Sequence, residues 1–188
     1  MSWQTISLID VPPSPWRNGG GVTHELLAWP SAQDWAWRLS VAEVAGDGPF
    51  SRFDGVQRWF AVLGGAGVQL QLPEQSHVLT MDSVPLCFDG AESVDCHLLY
   101  GATQDFNLML RRDRAKARMQ RLSGVTCFVL GAHQTIAIYA INTKAIVLYE
   151  HEKLTIESHS LAWRSLPAGA QLQVSAANAL WMEITPCA

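Results

Sequence analysis

The chain has 188 residues, of which 48% are hydrophobic and only 16% charged, against about 25% charged in an ordinary soluble domain. That length and apolar content suit one large domain or two small ones and exclude disorder over most of the chain. With 13 basic against 17 acidic residues there is no general attraction to phosphate backbones, so nucleic acid is not an expected partner. The first residues, MSWQTISLID, carry no basic cluster, and nowhere do apolar residues run to membrane-spanning length. The expectation is therefore a soluble, cytoplasmic protein with no membrane partner. Strand patterns recur along the chain as period-2 alternation broken by Gly, Pro, Asp or Asn turn signals. In chain order they fall at 22–28, 35–44, 58–63, 66–72, 93–99 and 105–110, then at 126–130, 134–141, 145–151, 153–157, 171–176 and 179–185. Between the two groups, 111–121 (RRDRAKARMQR) has helix-forming composition but too few apolar positions for a stripe, and reads as a strand continuation or short linker. Many short strands without a packed helix predict an all-β sandwich or barrel.

An approximate repeat points to two lobes. AVLGGAGVQLQL (61–72) and VLYEHEKLTI (147–156) each read strand, tight turn, strand, and each is followed by a second such segment, CFDGAESVDC (87–96) and LPAGAQLQVS (166–175). The shared order predicts a first lobe over 1–112 and a second over 113–188.

Basic residues are unevenly placed: 1–110 hold Arg17, Arg38, Arg52 and Arg58, while 111–121 alone hold six. In WAWRLSVAEV (35–44), alternation sets Trp35, Trp37, Leu39 and Val41 on an apolar face and Ala36, Arg38, Ser40 and Ala42 on the other. Small residues around one guanidinium fit either a solvated outer face or a concave anion site, where the planar fork of arginine grips a carboxylate. Arg58 shares a face with Phe60 and Val62, so it either reaches water from a strand end or points into a pocket. Arg17 and Arg52 read as turn or surface residues. In PSPWRNGGGVTHELL (13–27), three glycines follow Asn18 and permit backbone conformations and close approaches closed to other residues. In the strand behind them Thr23, Glu25 and Leu27 alternate with Val22, His24 and Leu26, so neither face is purely apolar.

Other chemistry is sparse. The six histidines show no HxH or HExxH spacing, and the four cysteines are dispersed with no CxxC pair, which reads as reduced structural thiols. There is no GxSxG elbow, and the candidate acid and base are the carboxylates Glu25 and Asp89.

Taken together, PWRNGGGVTHEL, WAWRLSVAEV, GPFSRFDGVQRWFAVLGGAGVQL, CFDG and DFNLMLRR resemble, in order over about residues 13–112, the HutD/Ves family of bacterial cupin-like proteins. The resemblance implies a double cupin (bicupin), two β-barrel or jelly-roll lobes in one compact unit. It implies a non-catalytic, cytoplasmic small-molecule-binding protein with a regulatory or sensing role in histidine utilisation. The implied ligand is a small carboxylate such as formate, N-formylglutamate or a related intermediate, and the implied ligand-binding residues are Asn18, Thr23, Glu25, Arg38, Ser40 and Arg58. Many cupins hold a metal through HxH and a following Glu and His, whereas RWFAVLGGAGVQL has no histidine, so neither metal nor cofactor is expected. Two other readings stay open. One is a cupin-type isomerase or hydrolase with Glu25 as its proton-transfer group; the other is a partner of a transcription regulator, with 111–121, including Arg114, Lys116 and Arg118, as the basic contact surface. An open barrel edge also allows a homodimer.

Overall fold

A computed structural model describes residues 2–187. β1 (Gln4–Ser7) leads into a 3-10 turn at Leu8–Asp10. There follow β2 (Ser14–Pro15), β3 (Gly21–Trp29), β4 (Trp37–Val44), β5 (Gly48–Pro49), β6 (Val56–Gly64), β7 (Val68–Gln71), β8 (Ser76–Leu79), β9 (Leu86–Asp89), β10 (Asp95–Leu98) and β11 (Thr103–Arg111). The later half adds β12 (Ala115–Val129), β13 (Gln134–Ala140), β14 (Ala145–Tyr149), β15 (Glu152–Ile156), β16 (Ser160–Leu166) and β17 (Gln171–Pro186). No α-helix occurs among the described residues. The chain divides into two compact units, Val11–Arg114 on the one hand and, on the other, the segment through Asp10 joined with Ala115 onward.

The Val11–Arg114 unit holds a six-stranded sheet, β2-β3-β4-β11-β6-β9, and a four-stranded sheet, β5-β10-β7-β8. The central strands of the larger sheet are buried on both sides. One face carries Leu39, Val41, Phe106, Leu108 and Leu110. The other carries Ala42, Val44, Phe60 and Val62, which pack against Val68, Leu70 and Cys96 of the smaller sheet. Burying each such Val, Leu or Phe contributes about 1.5–3 kcal/mol. The mixed faces of β3 have a local cause. Glu25 pairs with Ser40 but Leu27 pairs with Leu39, so Leu26 is an extra residue in a β-bulge. The bulge leaves Thr23 and Glu25 on the face of Ala42 and Ser40 and moves Leu27 to the face of Leu39. Ahead of β3, Gly19 has φ +74, and a Cβ on Gly21 would collide with the carbonyl oxygen of Glu43, so two of the three glycines are required.

The second unit is one seven-stranded sheet in which β17 pairs with β12 on one side and with β13 and β14 on the other. The strands expected at 171–176 and 179–185 are thus one long strand, with an irregularity opposite Leu122 and Gly124. Most of the basic stretch is the start of β12, a strand continuation, while Asp113 and Arg114 form a turn. The interior is filled by Ile136, Ile138, Val147, Val174 and Trp181, and the Trp181 ring stacks on Phe128 with centroids 3.8 Å apart. β1 pairs with β16, from Gln4 opposite Trp163 to Ser7 opposite Ser160, and so belongs to this unit. The short strands β1, β2, β5 and β8 and the seven-residue β16 have no counterpart among the expected elements, because they mix polar and apolar types without sustained alternation.

Candidate anion site

Toward one end, the inner face of the six-stranded sheet changes from apolar to polar. Strand pairing sets Arg38, Met109 and Arg58 in one row across β4, β11 and β6, and Ser40, Asn107 and Phe60 in the next. A cavity of about 640 Å³ opens over these rows, walled by Trp16, Phe50 and Phe53, with the exposed Arg17 and Asn18 also lining it.

Arg58 dominates the electrostatics. It is 7% exposed, its Nη2 donates to Asn107 Oδ1 at 2.7 Å, and its guanidinium lies over the rings of Phe50 and Phe88 at 5.0 and 5.2 Å. Its Nε has no acceptor. Burial, followed by repulsion from Arg38, lowers its pKa to about 10, so it stays cationic at neutral pH. Among the described residues no carboxylate pairs with it. Desolvating such an ion costs several kcal/mol, while each aromatic face returns about 0.5–2 kcal/mol. The arrangement is deficient by one anion.

Arg38 is less buried. Its Nη1 lies 3.6 Å from Glu25 Oε2, its Nη2 donates to Met109 Sδ at 3.1 Å, and its Nε is unpaired. Burial lowers its pKa, partly opposed by Glu25. Trp35 does not join the apolar face with Trp37. It precedes β4, and its ring lies between Arg38 and Arg111, 5.2 and 5.3 Å from their guanidinium carbons.

Of the residues singled out from sequence, Asn18, Thr23, Arg38, Ser40 and Arg58 line the cavity, whereas Glu25 reaches it through Arg38. Two of these also build the walls: Asn18 Oδ1 accepts from the Gly20 amide at 3.1 Å, and Thr23 Oγ1 accepts from Trp16 Nε1 at 2.8 Å. Arg17, read as a turn residue, lines the cavity as well. Arg52 is exposed and donates to the Ala91 carbonyl oxygen at 2.7 Å. Phe60 lines the cavity beside Arg58, as their shared strand face implied, whereas Asn107, Met109 and Phe50 were not anticipated. The signal for the first two was present in DFNLML, where Asp105, Asn107 and Met109 alternate with Phe106, Leu108 and Leu110. His24 faces away from this chemistry, with Nδ1 2.8 Å from the Val11 carbonyl oxygen and Nε2 3.6 Å from Glu43.

The lining contains no His, Cys, Asp or Glu, and no cluster of three such residues suited to a metal occurs among the described residues. Guanidinium, amide and aromatic groups repel or ignore a divalent cation, so the donor set does not fit the metal that many cupins carry. Deeper on the same face of β11, Asp105 is fully buried and accepts from Thr103 Oγ1 at 3.0 Å, while its Oδ1 has no donor. Burial, opposed by the Thr103 hydrogen bond, raises its pKa to about 7.

Comparison with known proteins agrees with this architecture. The chain resembles a cupin 2 conserved barrel domain protein from Leptotrichia buccalis at TM-score 0.57 and 8% identity, over 98% of this chain and 96% of that one, a likeness of fold alone. It superposes on HutD from Pseudomonas fluorescens SBW25, solved in a formate condition, at TM-score 0.87 with 31% identity over 100% of both chains. A 21.2 kDa protein from the hutC 3' region of Pseudomonas putida is 34% identical over 142 residues, 74% of each chain. Both units are thus cupin barrels, and no helix among the described residues is long and apolar enough to cross a membrane. The HutD family profile matches residues 9–182, a span that takes in both barrels and the arginine-lined cavity, and the chain belongs to the HutD family.

Proposed function

We propose that the Val11–Arg114 barrel binds a small carboxylate of histidine breakdown, such as formate or N-formylglutamate, and serves as a cytoplasmic sensor or regulator of histidine utilisation rather than as a catalyst. The observation that carries this reading is Arg58, a buried guanidinium with a neutral amide partner, two aromatic faces and no acid, bordering an open cavity. A carboxylate is its natural complement, because planar bidentate pairing supplies the missing charge and acceptors together. The family membership and the hutC-region relative support the pathway. The free thiols Cys87, Cys96 and Cys127 accord with a reducing compartment.

Calorimetric titration with formate and N-formylglutamate tests the proposal. Saturable binding is expected at millimolar ligand or below, lost in Arg58→Ala and weakened at least about tenfold in Arg38→Ala, since truncating one side of a buried charged contact removes 2 kcal/mol or more. Absence of saturable heat, or binding indifferent to both substitutions, refutes it.

A further inference from the structure

We propose that Glu25 sets the charge class of the ligand, so that the cavity takes a monocarboxylate in preference to a dicarboxylate. This rests on the anion-site reading above and adds to it a residue that selects.

The argument is a charge inventory. Three arginines and no acidic residue line the cavity. Glu25 stands behind that lining on β3 opposite Ser40, on the sheet face that carries Arg38, and its carboxylate lies 3.6 Å from Arg38 Nη1. Arg38 is thereby balanced, whereas Arg58 is not. Arg17 is exposed, and water screens it. One buried positive charge remains, and one ligand carboxylate cancels it. A second carboxylate, ionised at neutral pH, finds no further unbalanced buried cation in the lining: what remains is the aromatic wall, neutral hydroxyl and amide groups, the exposed Arg17, and an Arg38 already shared with the like charge of Glu25, and these do not compensate lost hydration.

The Glu25–Arg38 pair is also loose. At 3.6 Å it is longer than a direct hydrogen bond, Glu25 is 40% exposed, and Arg38 turns Nη2 to the weak acceptor Met109 Sδ. Arg38 is a second anion contact held in check by its neighbour. Removing the charge of Glu25 at constant shape releases it.

The test is calorimetric titration of the full chain, at fixed ionic strength and neutral pH, with N-formylglutamate and its isosteric monoanion N-formylglutamine. Wild type is expected to bind N-formylglutamine about tenfold more tightly or better, the scale of an uncompensated like-charge contact. Glu25→Gln is expected to raise N-formylglutamate affinity about tenfold while leaving N-formylglutamine within about threefold. Equal or reversed preference in wild type, or an unchanged ratio in a folded Glu25→Gln, overturns the assignment of Glu25 alone. The wild-type ratio decides the matter if that variant does not fold. Failure of both compounds and of formate to bind wild type overturns the anion-site reading beneath it.

Discussion

Arg58 and Arg164 present the same side chain to the interiors of the two barrels, and they differ in whether the buried charge has an acid beside it. Both are largely buried and both lie over aromatic rings, Arg58 over Phe50 and Phe88 and Arg164 over Tyr149. Arg164 has its own carboxylate, Glu152 Oε2, at 2.7 Å. Arg58 has only the amide of Asn107. The surroundings follow suit: Arg164 shares its strand face with the core residues Ala162 and Leu166 and lies outside the lining of the cavity of about 690 Å³ in its own unit, whereas Arg58 lines the 640 Å³ cavity. A buried cation with a built-in partner needs nothing from solution. One with only a neutral amide beside it carries a charge that the barrel itself does not cancel.

The largest expected effect lies in the core around Trp181. Trp181→Ala removes a fully buried ring stacked on Phe128 and should cost about 3–5 kcal/mol in urea denaturation. A loss below about 1 kcal/mol would show an interior that collapses freely, and the contrast between the barrels would fail.

Next comes Asp105, whose pKa is raised from 3.8 to about 7 by burial. Below about pH 4 it is protonated in both folded and unfolded chains and exerts no pH-dependent penalty. As pH rises from there through about 7, the unfolded chain gives up its proton first, and stability is lost until the folded group has titrated too. Asp105→Asn should therefore gain on the order of 4 kcal/mol near pH 8 and almost nothing near pH 3, as read from paired denaturation curves. A gain independent of pH would remove the titration from the account.

The smallest pair is the most diagnostic. In anion-free buffer Arg58→Met should raise stability by roughly 1 kcal/mol, because an uncompensated buried charge gives way to an apolar chain of similar length. Arg164→Met should lower stability by no more than about 1 kcal/mol, since Glu152 is half exposed and rehydrates. Opposite signs keep the comparison; equal signs break it.

Much of this was legible in the sequence because strand alternation is rigid. Once WAWRLSVAEV is a strand, Arg38, Ser40 and Ala42 must share a face, and they do. Two things were not legible. The bulge at Leu26 shifts the faces of β3 without any glycine or proline to announce it. The meeting of Arg58 with Asn107, 49 positions apart, depends on β11 inserting between β4 and β6, and no local pattern encodes strand order. The same limit hid Phe50, which reaches the cavity from the loop after β5.

The pairing of β1 with β16 bears on how the chain is made. Gln4 leaves the ribosome well before Trp163, its partner across the ladder, and must wait for it to be synthesised. Meanwhile the segment Val11–Arg114, whose strands pair only with one another, has all it needs to close. The Val11–Arg114 barrel can thus be assembled on the nascent chain before the barrel that contains β1, leaving that four-residue strand to be captured later across a long loop.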